Sequence, residues 1–284
     1  MRYDTEYQVM KYFIGFLLTL FSFVLEASDL PRLISTAPSI TETVKYLGGE
    51  KSLVGVSNFC NIDDSITRVG SAITPNFEKM VSLSPTKILA LKTVNSTLEK
   101  SLNKLSLAYV SLAFNSLDDI LESVKSIGNE IGGDAPKKAN DFAMEIKSEL
   151  NPIKEVIEKK YLWVISSEEN NGMISKVMVA GTGTHYHQII KLLGFYTPKG
   201  ILPNYHSLSL EQIIKMKPDY IFVSTPGNIG PAEFEAMKTS WLKTSILDAV
   251  KNKKVYFFKG DEFVVPGTSI LSMIKKIKGA ISAP

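Results

Sequence analysis

Three histidines, one cysteine and a pair of matched glutamates are the residues of this chain whose types and spacing could do chemistry. His185, His187 and His206 are its only histidines. Imidazoles bind metals, but two of them at i, i+2 do not share a helical face, so the pair makes a poor metal clamp. Cys60 is the only thiol, and one thiol without a spaced His partner is no evidence of a nucleophile. No G-x-S-x-G stretch and no Ser/His/Asp arrangement stands out. The segment AGTGTHYH, Ala180 to His187, has Tyr186 where a dinucleotide fingerprint needs its third glycine. It reads instead as a tight strand-to-helix turn with Thr184 as the helix cap. The sequence therefore assigns no catalytic residue, no metal ligand set and no resident cofactor.

The glutamates are a different signal. NFEKMVSLSPTKILAL, from Asn76, and SLEQIIKMKPDYIFVS, from Ser209, share one grammar: a Glu at the third position, a short apolar run, a Pro and a strand-forming run. Glu78 and Glu211 thus occupy equivalent places near the starts of two short helices. A carboxylate there interacts favourably with the helix dipole, by about 0.3–1 kcal/mol. The same placement also suits an outward handle for a cationic partner. Spacing alone leaves both readings open.

The elements that would carry these residues alternate between strand and helix. RLIST, SLVGVS, Lys87–Leu91 and AYVSL read as strands. Helices lie between them, including PSITETVKYLGG, where Ser39 and Glu42 form a candidate capping box, and SLDDILESVKSIGNEIGG, with Ser116 and Asp119 as a second. After Asp134 a stripe of Phe142, Ile146, Leu150, Ile153 and Ile157 predicts one long helix to Lys160, with Pro152 marking a kink or a break near Glu149. YLWVIS, KVMVA, Asp219–Val223 and KVYFF then repeat the alternation. The predicted fold class is α/β: two Rossmann-like lobes with parallel sheets joined by one long rigid helix. The expected divisions are a signal peptide over 1–27, a first lobe over 28–133, the connecting helix over 134–160 and a second lobe over 161–284.

Composition sets the class. The chain has 32 basic and 29 acidic residues and no polybasic run, which argues against a nucleic-acid partner. The apolar segment Tyr12 to Leu25 follows Lys11 and precedes EASDLPR. It has the length of a secretory signal core and is short for a membrane span. Cleavage near Ala27 and a start at Met1 or Met10 fit it. A single cysteine rules out an internal disulfide, so an exported protein of this kind fits a periplasm. The loops after the strands hold Phe59-Cys60-Asn61, Thr93 to Asn95, Tyr205-His206, Pro226-Gly227-Asn228 and Asp261-Glu262-Phe263. In parallel sheets such loops are where ligands bind.

RLISTAPSITETVKYLGGEKSLVGVSNFC, RVGSAITPNFEKMVSLSPTKILAL and SLSLEQIIKMKPDYIFVS together resemble the periplasmic solute-binding proteins of ABC importers for vitamin B12, ferric siderophores and haem, most of all the vitamin B12-binding members. The resemblance implies a free monomer that takes a small molecule into a cleft between its lobes and passes it to a permease dimer at the inner membrane. It implies permease docking for Glu78 and Glu211. It also implies ligand contacts for Phe59, Tyr205 and Asp261, with Cys60 and Phe263 in the same loops. Three places depart from the aromatic cradle of the vitamin B12 binders: Ala72-Ile73 before the first glutamate helix, Leu91-Lys92 after a strand, and Met178. Lys92 and His185 would suit the anionic groups of a ferric siderophore or the propionates of haem, so these remain the alternative ligands.

Overall fold

The computed structural model describes residues 30–93 and 97–282. The expected signal segment with its Ala27 cleavage point, and Val94 and Asn95 of the expected strand-end loop, lie outside them. The first lobe runs β1 (Leu33–Ser35), α1 (Pro38–Leu47), β2 (Leu53–Val56), β3 (Thr67–Arg68), α2 (Phe77–Ser82), β4 (Lys87–Leu91), α3 (Thr97–Lys104), β5 (Tyr109–Leu112) and α4 (Leu117–Ile131). Its strands pair in the order β3-β2-β1-β4-β5, all parallel. Chain order reverses beside β1, and the crevice beyond the carboxyl end of such a strand is where open α/β sheets hold ligands.

Helix α5 (Ala135–Glu149) leads out of this lobe. It stops well short of Lys160, which corrects the expectation of one helix over 134–160. Leu150 leaves helical geometry at φ −87°, ψ 58°. Pro152 explains the stop, because it lacks an N–H and pushes Asn151 away from the α region. A 3₁₀ turn, Lys154–Val156, follows, and Ile153 donates instead to the Leu193 carbonyl. Ile157, expected on the buried stripe, is 52% exposed. Lys278 caps the freed end by donating to the Glu149 carbonyl (3.0 Å) and carboxylate (2.6 Å).

The second lobe runs β6 (Tyr161–Asn170), β7 (Met173–Ala180), α6 (His185–Leu192), β8 (Tyr205–Ser209), α7 (Leu210–Met216), β9 (Tyr220–Thr225), α8 (Pro231–Lys243), α9 (Asp248–Lys251), β10 (Val255–Lys259) and α10 (Ile270–Ser282). Its order is β10-β9-β6-β7-β8. Strands β10, β9 and β6 are parallel, but β6-β7 and β7-β8 are antiparallel. The sheet is therefore mixed rather than wholly parallel. Asn171 and Gly172, both at positive φ, make the tight turn of the β6-β7 hairpin. Tyr205-His206, expected in a loop, opens β8.

Period-two alternation divides the core. Leu33 and Leu89 point to one face of the first sheet, while Ile34, Ile88 and Ala90 point to the other. Trp163 and Phe222 of the second sheet likewise oppose Leu162, Val164, Ile221 and Val223. The two inner faces meet in one apolar cluster, which also takes Ile40, Ile120, Phe142, Tyr186, Phe263 and Ile274. A shared core makes the seam a packed contact and limits how far the lobes can swing. Phe142, 1% exposed, sits in that cluster. Phe142→Ala is expected to cost about 3–5 kcal/mol of unfolding free energy, measured by urea titration.

The helix starts mostly follow their sequence signals. Ser116 and Asp119 form a full capping box, and Thr184 accepts from the His187 N–H. Ser39 and Glu42 do not form a box. Ala37 is the cap residue, Pro38 opens the helix, Ser39 is buried and Glu42 pairs with Lys45 at 3.3 Å. Gly181 is required for close approach: a Cβ there would lie 1.8 Å from the Leu202 carbonyl oxygen.

Candidate functional site

The loops at the carboxyl ends of β2, β9 and β10 converge on the seam. They line an open cleft of about 700 Å³, with Pro38, Glu42, Lys45, Phe59 and Asn61 on the first lobe. Pro226, Asn228, Asp261, Glu262, Val264, Val265, Ser269, Ser272 and Lys276 form the opposite wall. The volume falls in the usual range for a small-molecule site.

Phe59 is held for display. Its ring is 73% exposed, but its loop is fixed from behind. Arg68 donates to the Ser57, Cys60 and Ile62 carbonyls at 3.3, 2.8 and 3.0 Å, and the Asn58 N–H donates to Gly70 at 2.8 Å. Cys60 turns inward, 6% exposed, and its Sγ accepts from the Thr41 hydroxyl at 3.1 Å. Burial pushes the thiol's pKa up, so it is neither a cleft contact nor a ready nucleophile. On the other wall the Gly227 N–H donates to Asp261 Oδ1 at 2.9 Å, tying the β9 loop to the β10 turn. Two ion pairs flank the cleft: Glu42 with Lys45, and Glu262 with Lys276. The lining holds two lysines against three carboxylates, a net charge of −1.

The structure thus brings Phe59 and Asp261 together across the seam. It leaves other expected residues elsewhere. Phe263 is 1% exposed, stacked on Phe258 with ring centroids 4.7 Å apart. His185 is 2% exposed, and its backbone N–H and Nδ1 both address the Asn115 carbonyl, at 2.7 and 3.3 Å. Both side chains are packed interior, as is the Cys60 thiol, so the structure places Cys60, His185 and Phe263 in the core and not in the lining of this cleft. Lys92, Met178 and Tyr205 have exposed side chains, but none of them lines this cleft. Sequence reading passed over Lys45, Glu42, Ser269, Ser272 and Lys276. Their helices were legible, but no local signal says which helix face meets the other lobe.

Burial lowers the pKa of His185 to about 4, although the Asn115 bond works the other way. The ring is therefore neutral at physiological pH and cannot meet a ligand carboxylate as a cation. Burial also lowers His187, with Lys191 adding to the effect. Because the folded-state values lie below the ordinary value, the unfolded chain binds protons first as pH falls. Stability is full above about pH 6.5 and is lost as pH falls towards 4, by about 3 kcal/mol for His185. Urea midpoints across that window should fall for the parent and fall less for His185→Gln.

Glu78 and Glu211 are the second residue of α2 and of α7, after the caps Asn76 and Ser209. Both are exposed. Glu211 pairs with Lys215, one turn on, at 2.8 Å. Strand β8 runs parallel to β6, so both helices leave the carboxyl edge of their sheets, the edge that carries the cleft loops. Among the described residues no group of three or more His, Cys, Asp or Glu could hold a metal ion. Among them, too, no helix is long and apolar enough to cross a membrane.

A sequence profile described as periplasmic binding protein matches residues 33–262. The chain is 30% identical over 214 residues to an Fe(3+)-citrate-binding protein of Bacillus subtilis. That alignment covers 72% of this chain and 62% of the relative, so the chain spans less than two thirds of that protein's length. It is 25% identical over 271 residues to a vitamin B12-binding protein of Vibrio vulnificus, covering 92% of this chain and 93% of that one. The crystal structure of a periplasmic haem-binding protein of Vibrio cholerae superposes with a TM-score of 0.70 at 22% identity, over 89% of this chain and 99% of that one. This last likeness is one of fold.

Proposed function

The chain belongs to the periplasmic binding protein family, and from that membership we propose that it captures a corrinoid of the vitamin B12 type between its lobes and delivers it to the permease of an ABC importer. The composition of the cleft carries this reading. A ferric siderophore, ferric citrate or a haem with two propionates brings negative charge, and a lining of net charge −1 disfavours it. Haem iron also needs an axial His, Tyr, Met or Cys, and none of these is among the described lining residues. A corrinoid brings a broad, largely uncharged face edged with amides. Phe59 offers it an aromatic surface, Val264 and Val265 an apolar wall, and Asn61, Asn228, Asp261, Ser269 and Ser272 offer hydrogen-bond partners.

The same reading makes the protein a periplasmic, solute-carrying monomer whose leader is cut near Ala27. Glu78 and Glu211 are then twin handles for a permease with two-fold symmetry. Two equivalent carboxylates at equivalent lobe positions suit two equivalent arginines better than they suit two isolated dipole contacts. Calorimetric titration with cyanocobalamin, haemin, ferric citrate and a ferric siderophore tests the ligand class. Cyanocobalamin should bind with a sub-micromolar Kd. Tight binding of an iron complex with no heat from cyanocobalamin would replace this reading with an iron carrier on the same fold.

A further inference from the structure

Two helices of different lobes cap one another across the seam. Leu117 is the first residue of α4 and His185 the first of α6, so their N–H groups have no partner within their own helices. The Leu117 N–H donates to Oε1 of Gln188, the fourth residue of α6. In return the His185 N–H donates to the Asn115 carbonyl, just before α4, at 2.7 Å. Helix α6 is fixed to its own lobe as well. The Tyr186 ring stacks on Trp163 of the second sheet, with centroids 4.9 Å apart, and its hydroxyl donates to the Phe263 carbonyl. Phe263 closes the 3₁₀ turn Asp261–Phe263, whose Asp261 and Glu262 line the cleft. The start of α4 thus holds α6, and α6 holds the second lobe's wall of the cleft.

We propose that Gln188 is a positioning residue for ligand capture: its bond to the Leu117 N–H sets the spacing of the cleft walls before a ligand arrives. The inference rests on the cleft being the binding site and not on the class of ligand. An open groove of about 560 Å³ runs beside Gln188, between Leu117 and Asp118 of α4 and His187 and Lys191 of α6. Water can enter it, so a lost acceptor leaves the Leu117 N–H hydrated rather than orphaned in the core. Removing the acceptor therefore loosens the lobes more than it unfolds them. Looser lobes spend less time with their walls at binding distance, and apparent affinity falls by that fraction.

Pulsed electron paramagnetic resonance with spin labels at Ser65→Cys and Glu233→Cys, in a Cys60→Ser background, reads the separation of the lobes in ligand-free protein. Both labelled positions are exposed and outside the cleft lining. The parent should give one narrow distance distribution and Gln188→Leu a broader one. Gln188→Glu keeps an acceptor for the Leu117 N–H and should match the parent. Leu117→Pro removes the donor instead, at a helix position that tolerates proline, and guards against a Gln188 variant that folds poorly. It should broaden the distribution likewise, and the combined variant should go no further. By calorimetry Gln188→Leu should bind cyanocobalamin about fivefold more weakly, the value of one net hydrogen bond, and Gln188→Glu should bind as the parent does. A parental distribution in both Gln188→Leu and Leu117→Pro, a broad one in Gln188→Glu, or a broadened one with unchanged affinity overturns the positioning role. Distances as expected with no heat from cyanocobalamin in the parent overturn the corrinoid reading and leave the tie between the lobes standing.

Discussion

Phe59→Ala should bind cyanocobalamin about thirtyfold more weakly than the parent protein and unfold at the same temperature. The loss follows from burying one aromatic side chain, about 2 kcal/mol. The unchanged stability follows from where the ring sits. At 73% exposed it contributes little to the folded chain. The loop beneath it is held by the Arg68 guanidinium, the Asn58–Gly70 bond and the inward Cys60, all of which the substitution spares. An exposed aromatic on a pinned loop is preorganised, so little binding energy is lost in ordering it. Calorimetry with a thermal melt on the same samples reads both halves of the result. Unchanged affinity would remove Phe59 from the site.

A double Glu78→Ala, Glu211→Ala variant should lose transport almost entirely while its corrinoid Kd stays within about twofold of the parent. Each carboxylate is exposed on the carboxyl edge of its own sheet and takes no part in a core cluster. A charge-assisted bond from an arginine to each is worth about 1.5–3 kcal/mol. Losing both should therefore lower permease affinity by a hundredfold or more. Single variants should each show roughly half of that free-energy loss, because two distant contacts are nearly additive. Uptake of labelled cobalamin in cells dependent on the protein reads transport, and calorimetry reads binding. Full uptake by the double variant would reduce the glutamates to helix-terminal charges.

Much of the scaffold was legible because it is written in short-range signals. The strand over Lys87–Leu91 coincides with β4, and the Ser116/Asp119 box and the Thr184 cap form as read. Long-range outcomes were harder. The Ser39/Glu42 box lost to Pro38, which opens the helix two residues earlier than a Ser39 cap would, and to burial of Ser39. The β6-β7-β8 meander escaped notice because Asn171-Gly172 sits in a polar run that resembles an ordinary loop, and because a short strand such as Tyr205–Ser209 carries little pattern. At the cleft, the loop sequences pointed to turns that line it, through Phe59 and Asp261, but did not say which of the neighbouring side chains face it. Phe59 faces the cleft while Cys60 turns into the core, and Asp261 and Glu262 line the cleft while Phe263 is buried. Only the packed seam decides which one faces out. His185 shows the same limit: a polar residue in a Gly-rich turn looks available until the Asn115 carbonyl and α4 close over it.

Hydrogen–deuterium exchange with and without cyanocobalamin tests the central claim most directly. Ligand should slow exchange in three separate segments at once: Asn58–Asn61 of the first lobe, and Gly227–Asn228 and Asp261–Val265 of the second. Protection confined to one lobe, or found only on surfaces away from the seam, would contradict a site built between the two sheets.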